Sequence, residues 1–493
     1  MAVGFLNGIN YMQQTQIHFG TDGWRGVIAE DFTFENVRLV ARAIARYVIA
    51  NEDSQHGLVL GYDCRFLSDH FAEAAAGIIA ACGIPVRLSQ SYAPTPAIAF
   101  AVRNQKAAGA IVITASHNPW QWNGVKFKAS YGGSAGPEVT RKIEAEIADL
   151  MNAARAGVPL QPATQEEQLR SNKVSREDLV EPYLQHVESV VDLKAVARCN
   201  SLLVVDPMYG ASRRYMARLL ERAGVRCREI HGEANPMFGG INPEPIEPHI
   251  EELRRAVKES HANVGLATDG DADRVGAIDA SGQFIDSHQI FSILLRYLVE
   301  VRGLTGGVAK TFSATKLVDK LAAKFSLPLY ETPVGFKHIC DLMLSKKILI
   351  GGEESGGIGI PELGGPERDG LLNAVLLAEA MSYYGRSLGE LVEELHKEFG
   401  PHHYGRIDLE LRPGQKERAM EEVSQPGLDH FAGFGILKKE DMDGIKMYLD
   451  NGAWLLVRPS GTEPLLRIYA ESDSMDTVRG VLSRTESFVR GLA

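Results

Sequence analysis

A chain of 493 residues, 45% hydrophobic and 23% charged, is long enough for three or four cores at roughly 150 residues per domain, and its composition speaks against a disordered or membrane-embedded class. The formal net charge of −11 disfavours a nucleic-acid role and leaves small anionic substrates open, since a local set of Arg, Lys, backbone N–H groups or metal suffices to hold a phosphate. Five scattered cysteines (Cys64, Cys82, Cys199, Cys227 and Cys340), odd in number and without a CxxC pair, argue against a disulfide framework or a zinc site.

No segment approaches the length of an apolar membrane span. Residues 1–16 lack the basic start and sustained apolar run of a secretory signal, so the expected location is cytoplasmic. From residue 20 to about 150, short apolar strands such as 57–61 alternate with amphipathic helices, of which 34–50 is the clearest, which is α/β patterning. Residues 111–113 form a buried strand that runs through Thr114 and Ala115 into Ser116, and Asn118-Pro119 turns the chain just beyond the hydroxyl. In open α/β sheets ligands bind outside the carboxyl ends of strands, so Ser116 is placed for a nucleophile or phosphate carrier. An ordinary strand-to-turn junction fits the fragment equally well. Residues 151–175 are polar, without a strong strand signal, and read as a boundary.

A second α/β unit begins with the strand 202–206 and the helix-like 212–223, and its later strand 264–267 runs into Asp269-Gly270-Asp271-Ala272-Asp273-Arg274. Three carboxylates at alternate positions can wrap a hard cation, and oxygen-only ligands suit Mg²⁺ or Ca²⁺. An EF-hand fails, because Arg274 stands where glycine is required and Ala280 where glutamate is expected. Mg²⁺ sharing a phosphate oxygen fits better, against the alternative of a solvated acidic turn with Arg274 as counter-ion. A third unit carries a helix near 289–301, a strand at 348–350 and a helix at 371–384. In its loop 351–357 two glutamates and a hydroxyl stand among glycines, and an extended backbone would turn Glu353 and Ser355 to one side and Glu354 to the other.

The last stretch, from about residue 400, alternates strands (406–411, 454–457, 466–470) before a closing helix, which suits a smaller α+β domain. Its segment Arg458-Pro459-Ser460-Gly461-Thr462-Glu463-Pro464, with Arg467 beyond, has the composition of a phosphate-holding loop or of a hairpin turn with surface arginines. A Walker pattern is absent. Arg25, in FGTDGWRG (19–26), is suited to balance a phosphate on Ser116, and Lys126, in NGVK (123–126), to move a proton if its surroundings lower its pKa. An arginine in a structural salt bridge and a solvated surface lysine fit the same two segments, and His249 and His288 are read as structural.

In this order FGTDGWRG, TASHNP, DGDADR, GGEESGG and RPSGTEPLLR resemble the motifs of the α-D-phosphohexomutase superfamily, with matches from Phe19 to Arg467. The resemblance implies an α/β fold of four-domain phosphohexomutase architecture, with three α/β domains of mixed sheets and a smaller α+β C-terminal domain around a central cleft. The expected bounds are 1–170, 171–285, 286–398 and 399–493. It implies that Ser116 carries a phosphoryl group and that Asp269, Asp271 and Asp273 ligate Mg²⁺ together with that group on Ser116. Glu353 and Ser355 then meet sugar hydroxyls, and Arg458, Ser460, Gly461, Thr462 and Arg467 bind the distal phosphate. Arg25, His117 and Lys126 lie near the phosphoserine, Arg274 contacts it or the substrate, and Thr332, Gly335 and Lys337 belong to another substrate-facing loop.

The implied reaction is reversible phosphoryl transfer between C1 and C6 of a hexose phosphate through phospho-Ser116 and a bound 1,6-bisphosphate, with glucose 1,6-bisphosphate as activator and dephosphorylated Ser116 inactive. Gly357 stands where some relatives have a histidine proposed to move protons, which makes Lys126 the better acid/base candidate, with Arg368 and His338 close in sequence to substrate-facing segments. Glucose or mannose phosphates are preferred over glucosamine phosphate. A phosphopentose substrate, bisphosphate synthesis and the activity of a metal-dependent sugar phosphatase stay open beside them. The expected partners are small sugar phosphates, with no nucleic acid and no membrane, and the chain is expected as a monomer or homodimer.

Overall fold

The computed structural model describes residues 17–19, 23–155, 173–412, 414–460 and 465–492. In the first domain β1 (Trp24–Val27), β2 (Leu58–Tyr62), β3 (Val86–Ser89), β4 (Gly109–Ile113), β5 (Trp122–Ala129) and β6 (Val174–Glu177) form one mixed sheet in the order β1-β5-β4-β2-β3-β6. Its centre is parallel, and β5 returns antiparallel to β4, which brings Lys126 opposite Val112. The helix Phe34–Asn51 packs on this sheet by the stripe Val37, Val40, Ala41, Ile44 and Val48, spaced as one helical face and fully buried, and Thr33 caps it by accepting from Asn36 N. Two expectations change. Residues 151–155, read as part of a boundary, continue the helix Pro137–Arg155, and β6, assigned by its number to the second domain, pairs in parallel with β3 and completes the first sheet.

The second sheet, in the order β11-β10-β9-β7-β8, is built from β7 (Leu202–Asp206), β8 (Arg226–Glu229), β9 (Val264–Thr268), β10 (Val275–Asp279) and β11 (Phe284–Ile285). Strands β9 and β10 are antiparallel neighbours with Thr268 opposite Val275, so the acidic segment is the tight connection between two fully buried strands. At the end of β7, Asp206 pairs with the His231 ring (2.9 Å), whose other nitrogen meets Glu252 (2.8 Å). Burial alone would lower the imidazole pKa, but both hydrogen bonds and both charges outweigh it and push the value up to about 9. A raised value stabilises the fold fully below the unfolded pKa near 6.5 and loses that contribution as pH rises through about 9. Discounted for the exposure of Glu252, the loss is about 2 kcal/mol. Thermal unfolding at pH 6 and pH 10 checks this: His231→Gln should lose less stability across that interval than the wild type.

The third sheet, β13-β12-β14-β15, comprises β12 (Gly307–Thr311), β13 (Leu329–Thr332), β14 (Ile348–Gly352) and β15 (Ile358–Gly359). Helix Gly370–Tyr384 is apolar around its whole circumference because it lies between the second sheet and the helix Ser287–Glu300, and the second and third domains therefore share one core that reaches into the first. Asp369 caps it, accepting from Leu372 N (2.9 Å) and from the Tyr183 hydroxyl (2.7 Å).

The C-terminal sheet is antiparallel throughout, in the order β16-β21-β20-β19-β18-β17: β16 (His403–Glu410), β17 (His430–Phe431), β18 (Phe434–Glu440), β19 (Ile445–Leu449), β20 (Trp454–Pro459) and β21 (Leu465–Ser472). Helices Gln415–Ser424 and Met475–Gly491 cover a core of its own. This domain meets the third through a buried apolar cluster of Phe312 with Trp454, Leu456 and Tyr469 and through polar contacts, among them Val334 N to Asp443 Oδ2 (2.8 Å), Lys446 Nζ to Phe312 O (2.7 Å) and Lys316 N to Glu471 Oε1 (3.1 Å). Among the described residues no helix is long and apolar enough to cross a membrane.

Candidate active site

Ser116 lies three residues beyond β4 with φ +53°, a left-handed conformation uncommon for a residue with a side chain. Arg65 holds it there. All five guanidinium N–H donors are used: Nε to Asp63 Oδ2 (3.1 Å), one terminal nitrogen to the carbonyls of Pro119 and Trp122 (2.9 Å each), the other to those of Ser116 and Asn118 (2.7 Å each). Asp63 is equally saturated, accepting from Arg65 N and Nε, Ser68 Oγ and Thr114 Oγ1, and Thr114 Oγ1 in turn accepts from Ser116 N (2.8 Å). The motifs did not point to this Asp63–Arg65 clamp. Its only trace in the sequence is a charged pair, two residues apart, directly after an apolar strand.

The Ser116 hydroxyl donates to Asp269 Oδ2 (2.8 Å) and lies 3.5 Å from His117 Nδ1. The two loops touch so closely that a Cβ on Gly270 would stand 2.4 Å from Ser116 O, and glycine there is a packing requirement. Asp269 Oδ1 accepts from the backbone of Asp273 (3.0 Å) and Arg274 (3.1 Å), which curls the loop so that its carboxylates converge. One oxygen from each of Asp269, Asp271 and Asp273 lies within 4.8 Å of the others, and all three residues are fully buried. Lys126 Nζ bridges Asp271 (2.9 Å) and Asp273 (3.2 Å), and Thr95 Oγ1 donates to Asp271 (2.7 Å). Among the described residues nothing hydrogen-bonds to Asp271 Oδ1 or Asp273 Oδ1, both of which are buried.

Burial and repulsion from Asp271 and Asp273 hold the Asp269 carboxyl well above the usual range. Burial would raise Asp271 too, but the charge and hydrogen bond of Lys126 hold it below the usual carboxylate range. A buried all-oxygen cluster with two unsatisfied acceptors fits a hard divalent cation of the Mg²⁺ type.

Around this centre the cations converge. Arg274 pairs with Glu244 (3.2 Å) and lies 3.9 and 3.8 Å from Asp269 and Asp273, and Arg25 donates to Asn118 Oδ1 (2.5 Å), so it reaches the Ser116 loop through Asn118. His117 is half-buried, and desolvation with the charges of Arg274, Arg25, Arg406 and Lys126 pushes its pKa well below the ordinary value. The same charges favour the neutral ring, in a field suited to an anion.

The loop after β14 corrects one expectation. It is a tight turn closed by Glu353 N to Gly357 O (3.0 Å), with Gly356 at φ +88°, so the alternation of an extended strand does not set the directions of Glu353, Glu354 and Ser355. Glu354 accepts from Thr311 Oγ1 (3.1 Å) and Ser313 Oγ (2.6 Å). Arg368 joins Glu353 (3.3 Å) to Asp273 (2.8 Å), which ties the turn to the acidic loop. Burial pushes the Glu353 carboxyl up to about 7 against the lowering charge of Arg368. A Cβ at Gly357 would stand 2.3 Å from Arg368 Cδ, so the arginine occupies the space a side chain at 357 would need.

The remaining candidates gather on the third and fourth domains. Arg458 and Arg467 are directly opposed on β20 and β21, an arrangement that is repulsive unless anions balance it. Asp443 pairs with Arg458 (2.9 Å) and also accepts from Val334 N, so it links Arg458 to the 332–337 segment. Asp408 lies 3.6 Å from Arg467 and binds Arg406, a third guanidinium that no sequence motif singled out. Ser460 is buried, with its N–H donating to Leu465 O (2.9 Å). Gly461 and Thr462 lie outside the described residues. Gly335 has φ +128° at the start of helix Phe336–Ser345, Lys337 and His338 are half-buried on it, and Thr332 donates locally to Pro333 O (3.0 Å).

Four domains with one such centre describe a phosphohexomutase-type isomerase. The phosphoglucomutase/phosphomannomutase α/β/α domains I, II and III match residues 16–154, 181–282 and 286–399, and the C-terminal domain of the same group matches 415–486. The chain belongs to the phosphoglucomutase/phosphomannomutase family of the α-D-phosphohexomutase superfamily. It is 33% identical to a phosphoglucosamine mutase of Carboxydothermus hydrogenoformans, over 92% of this chain and 94% of that one, and 30% identical to a phosphoglucomutase/phosphomannomutase of Thermococcus kodakarensis, over 94% and 96%. Among solved structures, a Thermus thermophilus protein assigned as a phosphomannomutase superposes with a TM-score of 0.82 at 36% identity, covering 96% of this chain and 99% of that one.

Proposed function

We propose that the protein interconverts the 1- and 6-phosphates of glucose, and of mannose, with Ser116 as a reversible phosphoryl store. The observation that carries this reading is the buried Ser116 hydroxyl, 2.8 Å from Asp269, on a loop that Arg65 and Arg25 contact and next to an acidic loop that Arg274 approaches. A hydroxyl with a structural role alone has no need of that cationic surround. The sugar hydroxyl attacks the phosphorus of phospho-Ser116, and the bond to the serine oxygen breaks. The neutral His117 ring takes the sugar hydroxyl proton in this reading, and Lys126, an ammonium between Asp271 and Asp273, can only give a proton to the departing serine oxygen.

Asp269, Asp271 and Asp273 would hold Mg²⁺, which when bound supplies charge stabilisation to a transferring phosphoryl group. Arg25 and Arg274 orient the phosphoryl oxygens, Glu353 and Ser355 meet the sugar hydroxyls, and Arg458, Ser460 and Arg467 grip the distal phosphate with Gly461 and Thr462. The bisphosphate turns over in the cleft, so each end is presented to Ser116 in turn, and glucose 1,6-bisphosphate restores phospho-Ser116 when the intermediate escapes. Relatives named phosphoglucosamine mutase at up to 33% identity support glucosamine phosphate as a second reading.

The test is kcat/KM against the 1-phosphates of glucose, mannose, glucosamine and ribose, with Mg²⁺ and catalytic glucose 1,6-bisphosphate. Glucose or mannose is expected to lead, labelled phosphoryl should be recovered on Ser116, and EDTA should abolish turnover. Release of inorganic phosphate at the rate of sugar-phosphate loss would instead identify a phosphatase.

A further inference from the structure

Between the first two domains a cavity of about 250 Å³ opens beside the Ser116 loop, with Tyr62, Cys64, Phe66, Tyr92, Arg213 and Pro236 among its lining. Neither Ser116 nor any residue of the acidic loop lines it, although the clamp residues Asp63 and Arg65 form part of its wall. At roughly 30 Å³ per water the space equals that of about eight waters, enough for a small metabolite.

Two arginines face this cavity, and they differ in remaining capacity. Arg65 has committed all five donors to Asp63 and four carbonyls. Arg213 is only 9% exposed, its Nε hydrogen-bonds to nothing, and no carboxylate pairs with it among the described residues. Its guanidinium lies 4.5 Å from the centre of the Tyr92 ring, and the Tyr92 hydroxyl donates to Arg213 O (3.1 Å), so the side chain is braced against an aromatic face, with Glu229 acting on its charge without pairing with it. Asp69, on the lining as well, is exposed and accepts from His70 N.

A nearly buried cation that only the longer-range charge of Glu229 answers gains a direct partner when an anion arrives from solution. The planar guanidinium fork suits phosphate and carboxylate, while Tyr62, Phe66 and Pro236 offer apolar surface beside it. We propose that this cavity is a second ligand site, for a small organic anion whose phosphate, phosphonate or carboxylate head pairs with Arg213 and whose apolar body lies against Tyr62, Phe66 and Pro236. Such a ligand differs in class from the polyol phosphates of the cleft, and the proposal stands independently of which sugar the enzyme turns over.

Calorimetric titration of the full chain with phenylphosphonate in Mg²⁺ buffer tests it. Arg458→Ala serves as the background in which the distal phosphate grip of the cleft is removed. Binding should survive in Arg458→Ala, weaken at least tenfold when Arg213→Met is added, and be weakened less by Arg213→Lys, which keeps the charge and loses the fork. Arg213→Met alone should melt at the wild-type temperature or higher, because it removes a nearly buried charge that no carboxylate pairs with among the described residues. Absence of phenylphosphonate binding in Arg458→Ala, equal affinity with and without Arg213→Met, or a lower melting temperature with unchanged affinity would each overturn the proposal, the last marking Arg213 as a structural cation only.

Discussion

Ser116→Ala is expected to lower the rate of sugar-phosphate interconversion by roughly five to six orders of magnitude, the scale on which removal of a covalent nucleophile acts in an enzyme whose remaining groups are intact. The variant should stay folded. Alanine removes one hydroxyl that donates to Asp269 Oδ2, and Arg65 still grips the carbonyl of residue 116. Left without that donor, Asp269 raises the cost to about 1–3 kcal/mol, which Mg²⁺ binding to the acidic loop should reduce. A coupled assay for glucose 6-phosphate, run with glucose 1,6-bisphosphate present, reads the rate, and thermal unfolding with and without Mg²⁺ reads the fold. Residual turnover above about one per cent would remove Ser116 from the phosphoryl path.

Arg65→Ala should cost about 3–5 kcal/mol, because it leaves the fully buried Asp63 without its cation and strips hydrogen bonds from the carbonyls of residues 116, 118, 119 and 122. At roughly 2–4 °C per kcal/mol the melting temperature of the first domain should fall by about 10 °C. Activity should fall further than stability explains, since the positive φ at Ser116 persists only while its surroundings enforce it. Arg65→Lys tests the fork separately from the charge, with three donors for five acceptors, and is expected to recover less than half of the lost stability. A cost below about 1 kcal/mol for Arg65→Ala would show that the loop holds its shape without the clamp.

Much of the architecture was legible because strand and helix periodicities are local. The helix expected at 34–50 and found at Phe34–Asn51, and the strand expected and found at Leu202–Asp206, carry their own patterns of apolar side chains. The failures are where a local pattern is completed by distant partners. Val174–Glu177 is short and mostly polar, and it becomes a strand because β3 offers it an edge. The 353–357 turn reads as an acidic segment of extended chain until Arg368 is seen lying where a Cβ of residue 357 would be.

The sequence by itself determined the family and the chemical parts of the site: a serine after a buried strand, three alternating aspartates and an arginine-bracketed loop each announce themselves in a short run of residues. Only the tertiary structure decided how those parts are wired. The 2.8 Å contact of Ser116 with Asp269, the placement of Lys126 between two aspartates, the grip of Arg65 on the Ser116 loop and the seating of Arg213 on the Tyr92 ring depend on side chains far apart in sequence. The physical reason is range: backbone periodicity is set by neighbours a few residues away, whereas burial, charge pairing and close approach exist only once separate strands and loops have been packed together.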